Sequence, residues 1–240
     1  MLRFARTALT PLLAGGAVAL LGAAAHAQND WPQRSDDGKT LVVPADQAAK
    51  GTVYYAIPGK PVPNADQTRF TNTPPNSKKA KPVDSFTGFS NEIVGYVVTS
   101  TGDPQNIIAG EFLLPVDSLD TGIKLRNKHL GTKQWLYKKK NPEIRFSLQG
   151  VRDLTSNGSR NGADTYTGEI FGRLTLRGET RDFSFPATIA VRPQNGMIAI
   201  RTQYPVTLKD FGVDNGIIGK KVAEQIHVEQ FLILSTNKPS

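Results

Sequence analysis

Beyond its first 27 residues the chain carries two histidines, His129 and His227, and it has no cysteine at any position. Acid–base or nucleophilic catalysis needs a base held against a nucleophile, or two carboxylates converging in a cleft. Neither arrangement is legible. His227 sits between Ile226 and Val228 on the outward side of an alternating strand pattern, which marks a surface residue. A metal site needs several His, Cys or carboxylate ligands that converge, and two isolated histidines among scattered aspartates do not supply one. The glycines fall in turns and along strand patterns, so no phosphate-cradling loop is present. The expectation is a protein that is not an enzyme, with no metal and no cofactor. The polar pair that remains is Arg126 and His129, three residues apart and therefore on one face of any helix they occupy. Two roles stay open for Arg126: facing the polar end of a ligand, or pairing with Asp117 or Asp120 to fix a loop.

The elements that must position these residues are mostly strands. Over residues 166–176, Tyr166, Ile170, Leu174 and Leu176 alternate with Thr167, Glu169, Arg173 and Thr175, with Gly168 and Gly172 on the apolar side. A period of two puts one face against an apolar interior, and small residues there are expected to leave room. The same alternation runs through Ile144, Phe146 and Leu148, through Phe183, Phe185, Ala187, Ile189 and Val191, and through Ile226, Val228, Leu232 and Leu234. Turn signals separate the strands at Gly102-Asp103-Pro104, Asn157-Gly158-Ser159, Asn161-Gly162, Pro193-Gln194-Asn195-Gly196 and Asp214-Asn215-Gly216. This spacing predicts a closed antiparallel sheet. The exception is Leu125 to Leu136, where Leu125, His129 and Leu130 give a weak helical period that Gly131 interrupts. Aromatic residues are numerous for a small barrel: Phe86, Phe89, Phe112, Trp135 and Phe146 in the first part, then Tyr166, Phe183, Phe185 and Phe211. Each could serve as core packing or as the lining of a ligand site.

Arg3 and Arg6 precede an apolar run from about Ala8 to Ala25, and Ala25-His26-Ala27 presents small residues to a signal peptidase. The pattern predicts a secretory signal cut after Ala27 and a periplasmic protein. Without cysteine, stability in that oxidising compartment must come from the core. Formal net charge is +8, and loss of Arg3 and Arg6 leaves +6. The compact basic runs, Lys78-Lys79-Ala80-Lys81 and Lys138-Lys139-Lys140, lack the interleaved aromatics of a nucleic-acid platform. They read as solvated loops or as transient contacts with a membrane surface. Residues 28–66, rich in Pro, Asp, Gln and Lys, read as a partly mobile N-terminal extension before a barrel at 67–236. Residues 72–82 read as a loop between strands. The sequence does not define an oligomeric state.

A series of motifs gives these features a family. Arg69-Phe70-Thr71 and Phe86-Thr87-Gly88 precede Ile93-Val94-Gly95. Asp117-Ser118-Leu119-Asp120-Thr121-Gly122 leads into Leu125-Arg126-Asn127-Lys128-His129-Leu130. Asn141-Pro142-Glu143-Ile144-Arg145-Phe146, Leu174-Thr175-Leu176-Arg177-Gly178 and Lys209-Asp210-Phe211-Gly212 follow. In this order, from Thr68 to Thr236, they resemble the YceI-like family of periplasmic lipid-binding proteins. The resemblance implies an all-β, eight-stranded, lipocalin-like antiparallel barrel with a short helix over one opening and a polyisoprenoid or similar long apolar lipid in its lumen. It also implies that Arg126 and His129 sit at that opening, in a motif where Asn127 replaces the usual Asp. The aromatics named above, with Ile170 and Leu174, are then the expected lipid-binding set. The rival expectation is a barrel with a filled interior whose basic surface docks to a membrane or a partner protein. Interior volume discriminates between them.

Overall fold

The computed structural model describes residues 31–75 and 85–239. The expected signal at 1–27 and the run Lys78-Lys79-Ala80-Lys81 lie outside the described residues. In the unit from Pro32 to Ser240, the chain forms a short helix α1 (Ala45–Ala48) and then β1 (Gly51–Ala56), β2 (Thr68–Asn72), β3 (Phe86–Ser90), β4 (Val94–Ser100) and β5 (Asp103–Pro115). Helix α2 (Lys124–Leu130) is followed by β6 (Glu143–Arg160), β7 (Ala163–Leu176), β8 (Glu179–Arg192), β9 (Met197–Thr207) and β10 (Gln225–Ser235).

Eight strands close a ring in the order β1, β4, β5, β6, β7, β8, β9, β10, and the last returns to the first where Leu234 and Ser235 pair with Ala56 and Tyr55. This is the eight-stranded antiparallel barrel expected. The strands β2 and β3 add a hairpin to the same edge of β10 lower down, where His227 to Gln230 pair with Thr71 to Thr68. Residues 51–56, expected within a partly mobile extension, are therefore a strand of the wall, with Tyr54 and Ala56 turned into the core. A strand this short has too few alternating positions to stand out from its polar flanks. The residues before it reach β4 and the start of β6. The Tyr96 hydroxyl donates to Gln47 Oε1 at 2.9 Å, the Arg34 guanidinium bonds the Glu143 carboxylate, and Leu41 is buried.

Two hairpins turn on pairs of left-handed residues, Asn161-Gly162 (φ 52° and 73°) and Arg177-Gly178 (φ 56° and 84°). Two consecutive positive φ values match the right-handed twist of the strands they join. The expected turn at Asn157-Gly158-Ser159 is not one. Those residues belong to β6, in a stretch where its register with β7 slips between Ser156 and Ser159. Asn-Gly suits a bulge as well as a turn, since both need a positive φ.

Because β10 has two partners along one edge, the sheet splits there, and the split is filled by Gln67, which is fully buried. Its Nε2 donates to the carbonyl of Ile57 after β1 at 2.9 Å, and its Oε1 accepts from the backbone N–H of Ile93 before β4 at 2.9 Å. Its own N–H donates to Asn91 Oδ1 at 2.9 Å, and its carbonyl accepts from Phe231 of β10 at 3.0 Å. One residue thus ties four chain segments. Gln67→Leu, close in volume, should leave buried backbone groups unpaired and cost roughly 3 kcal/mol. Urea unfolding should show a lower midpoint with an unchanged slope.

Candidate ligand-binding site

Inward positions of the barrel divide into two zones. At the end where β1 closes the ring, Val97, Ile189, Ile198 and Leu234 are completely buried and pack with Tyr54 and Ala56. Toward the other end the walls enclose a cavity of about 700 Å³. Ile170, Leu174, Leu148, Ile200 and Leu232 form its deep walls, and the residues of α2 and the turn after it border its mouth. The lumen is neither fully plugged nor an open tube; it is blind at one end.

Phe146, Phe185 and Tyr204 form one aromatic wall, with Phe185 stacked on Tyr204 at 4.5 Å between centroids and Phe146 tilted against Phe185 at 5.3 Å. The wall carries few polar atoms, and each has a partner. The Tyr204 hydroxyl donates to Gln230 Oε1 (3.1 Å), Gln230 Nε2 donates to Thr68 Oγ1 (3.3 Å), and Thr202 Oγ1 donates to the Pro186 carbonyl (2.6 Å). Burial pushes the Tyr204 hydroxyl pKa up, so it stays a neutral donor. Tyr204, Gln230 and Phe70 also line the cavity, outside the expected lipid-binding set. The alternation Ile198, Ile200, Thr202, Tyr204, Val206 held the signal for Tyr204.

Most of the expected site residues meet at this cavity: Phe86, Phe112, Trp135, Phe146 and Phe185, with Ile170, Leu174, Arg126 and His129. Four do not. Phe89 is three residues from Phe86, an odd spacing that puts it on the opposite face of β3, exposed. Tyr166 is level with Ile189, in the packed half of the barrel. Phe183 stands edge-on to Tyr204 at 5.4 Å and supports the aromatic wall without lining it. Phe211 is fully buried in the core, at the end of the turn that follows β9. Nor do the strand glycines leave open space. A Cβ on Gly172 would lie 2.2 Å from the Ser147 carbonyl oxygen, and one on Gly95 would lie 2.3 Å from the Phe112 ring. Neighbouring backbone and rings occupy what these glycines vacate.

The mouth is held by α2 and its approach. Arg126 pairs with neither aspartate expected for it: Asp117 accepts from Lys138 Nζ (2.5 Å), and Asp120 accepts from Asn127 Nδ2 (2.8 Å). Its guanidinium carbon stands 4.0 Å above the centroid of Phe86, a cation–π contact that latches α2 to β3. His129 is exposed at the rim. Asn127 is the pin of the loop, because its Oδ1 also accepts from the Thr121 N–H (2.9 Å) and hydroxyl (2.6 Å). The Asn127 amide, and then the Gly122 N–H, hold the Asp120 carboxyl below its ordinary pKa. Among the described residues no cluster of three or more His, Cys, Asp or Glu could hold a metal ion.

The YceI-like domain model matches residues 66–232. The chain belongs to this family. Three solved structures share the YceI-like fold: Burkholderia cenocepacia BcnA (19% identity, TM-score 0.53, 69% of this chain and 94% of that one), a Campylobacter jejuni YCEI protein (16%, 0.51, 68% and 92%) and a polyisoprenoid binding domain from Saccharophagus degradans implicated in plant cell wall breakdown (13%, 0.52, 75% and 97%). No curated protein matches the sequence. The YceI-like model starts after β1, so the strand that closes the packed end lies outside the matched span.

Asn127→Asp, which restores the residue usual in the family, should place a second carboxylate against Asp120 and remove its donor. The wild-type Asp120 carboxyl, with a lowered pKa when folded, stabilises above the unfolded value of about 3.9 and loses that contribution as pH falls further. In the variant both carboxyls have raised folded values, so its deficit is largest at neutral pH. Thermal melts should show the variant several degrees less stable at pH 7 and nearly level with wild type at pH 4.

Proposed function

We propose that this protein binds a polyisoprenoid or a similarly long, slender apolar lipid in the open half of its barrel, and carries or sequesters it in the periplasm without catalysing a reaction. The observation that carries the reading is the cavity: about 700 Å³, walled by aliphatic and aromatic side chains and continuous with one mouth. That volume falls within the range of small-molecule sites, roughly 300 to 1,000 Å³. Each methylene moved from water into such a wall contributes about 0.8 kcal/mol, so a chain of several isoprene units would bind tightly with few polar contacts. The hydroxyls of Tyr204 and Thr202 and the Gln230 amide are already paired within the protein, so a hydrocarbon chain leaves those bonds unbroken. A filled interior, the rival expectation, describes only the β1 end. The polyisoprenoid-binding description of the Saccharophagus degradans domain supports the same ligand class.

Two neighbours on β7 test the reading. Leu174 lines the cavity, and Arg173 is exposed on the outer face. Leu174→Gln puts an unpaired amide into the cavity at about 1 to 3 kcal/mol, equivalent to roughly five- to 150-fold in affinity. Arg173→Gln should leave binding unchanged. With both variants folded by circular dichroism, mass spectrometry of organic extracts should find lipid reduced in the first alone. Equal lipid in both would refute lumen binding.

Export is a separate element, resting on Arg3, Arg6, the apolar run and Ala25-His26-Ala27. N-terminal sequencing of the protein from a periplasmic fraction should begin at Gln28. An intact Met1 on membrane-bound protein would overturn it.

A further inference from the structure

Large apolar side chains exposed to water are few, and three of them stand together at the mouth. Ile123 (49% exposed) and Leu125 (63%) lie at the start of α2, and Ile217 (37%) lies in the turns between β9 and β10. All three also line the cavity, so the apolar surface runs from the deep walls out onto the rim. A rim serving only to keep water out of the lumen would turn these side chains inward. Leu125 is instead the most exposed large apolar residue among those described.

The charge on the α2 side of this rim has one sign. From Thr121 to Pro142, the segment that borders the mouth, there are seven cations (Lys124, Arg126, Lys128, Lys133, Lys138, Lys139 and Lys140) and no carboxylate. Across the mouth, Lys220 and Lys221 follow Ile217 in turns where Lys209, Lys220 and Lys221 balance Asp210, Asp214 and Glu224, so the excess of cations lies on the α2 side. Asp117 is the acidic partner of one of the seven, Lys138. Lys124 and Lys128 are exposed one helical turn apart, either side of Leu125 in sequence. Exposed apolar side chains ringed by lysines suit the interface of an anionic bilayer, where the apolar groups enter the acyl boundary and each ammonium meets a phosphate.

We propose that the mouth of the barrel docks onto an anionic phospholipid surface, with Leu125, Ile123 and Ile217 inserted and the lysines of α2 and of the Ile217 turn on the headgroups. Docked this way, the cavity opens directly against the acyl layer, and a lipid passes between the two without crossing water. The docking depends on the lipid-binding reading only for its purpose; the contact itself is measured separately.

The test is flotation of the protein, cut after Ala27, with vesicles of phosphatidylglycerol and phosphatidylethanolamine, and with vesicles of phosphatidylcholine alone. Preferential binding to the anionic vesicles, weakened by high salt, is expected. The triple variant Lys124→Glu, Lys128→Glu, Lys220→Glu changes rim residues that do not line the cavity. It should bind the anionic vesicles roughly ten-fold or more weakly, while circular dichroism and co-purifying lipid match wild type. Leu125→Ser should weaken vesicle binding even at low salt. Docking is refuted by no flotation, by equal flotation on both vesicle types, or by a triple variant that binds as well as wild type. It is also refuted if sedimentation shows a dimer that Leu125→Ser dissolves, since a second copy would then be what covers the rim. A protein that floats with anionic vesicles yet never contains lipid keeps the docking and removes the lumen function; the reverse result removes only the docking.

Discussion

Strand β10 must serve two partners along one edge, β1 at its end and β2 in its first half, and the side chain of Gln67 makes that division tolerable. A sheet cannot part without leaving backbone donors and acceptors unpaired, and in a buried position each of those is expensive. A primary amide presents a donor and an acceptor at one point, so it can substitute for a missing stretch of ladder. Closure of the ring, the packed end that closure creates and the placement of the β2–β3 hairpin all depend on that substitution. Asn91 extends it by accepting from the Gln67 N–H while its Nδ2 donates to Asp66.

The interior follows from where large and small residues fall along the inward positions. At the β1 end, aliphatic residues of moderate size meet across the barrel and fill it. Farther along, the rings of Phe112 and Phe146 lie over Gly95 and Gly172 instead of crossing the lumen. Glycine on a strand here lets a neighbouring ring lie flat on the wall, and the room gained appears in the middle of the barrel. An eight-stranded barrel stands near the boundary between a filled and a hollow interior, and this one crosses that boundary along its own length.

Much of this was legible in the residues, for identifiable reasons. Long strands with strict alternation, such as β7, β8 and β9, declare both their type and their inward face. Residues placed by those strands, among them Ile170, Leu174 and Phe185, line the cavity. Short elements and non-local contacts leave a weaker mark in the residues. Strands β2 and β3 have five residues each, too few for an alternation that shows which face Phe70, Phe86 and Phe89 take. Strand β1 is short and set among polar residues. The bonds of Gln67 join positions up to 164 residues apart along the chain, by way of Phe231, and no local pattern carries that. For Arg126, charge alone suggests a carboxylate partner such as Asp117 or Asp120. The structure supplies a ring, which composition alone does not propose.

A blind-ended socket has a consequence that a tube does not. Whatever occupies it must go in and come out through the same mouth, and the part inserted last must leave first. The packed layer of Ile198 and Leu234, next along from Ile200 and Leu232, also sets a depth. A chain shorter than that depth disappears inside, whereas a longer one leaves its remainder projecting at α2. For a lipid bound as proposed, the barrel would act as a gauge, in which the length of the occupant decides how much of it projects beyond the mouth.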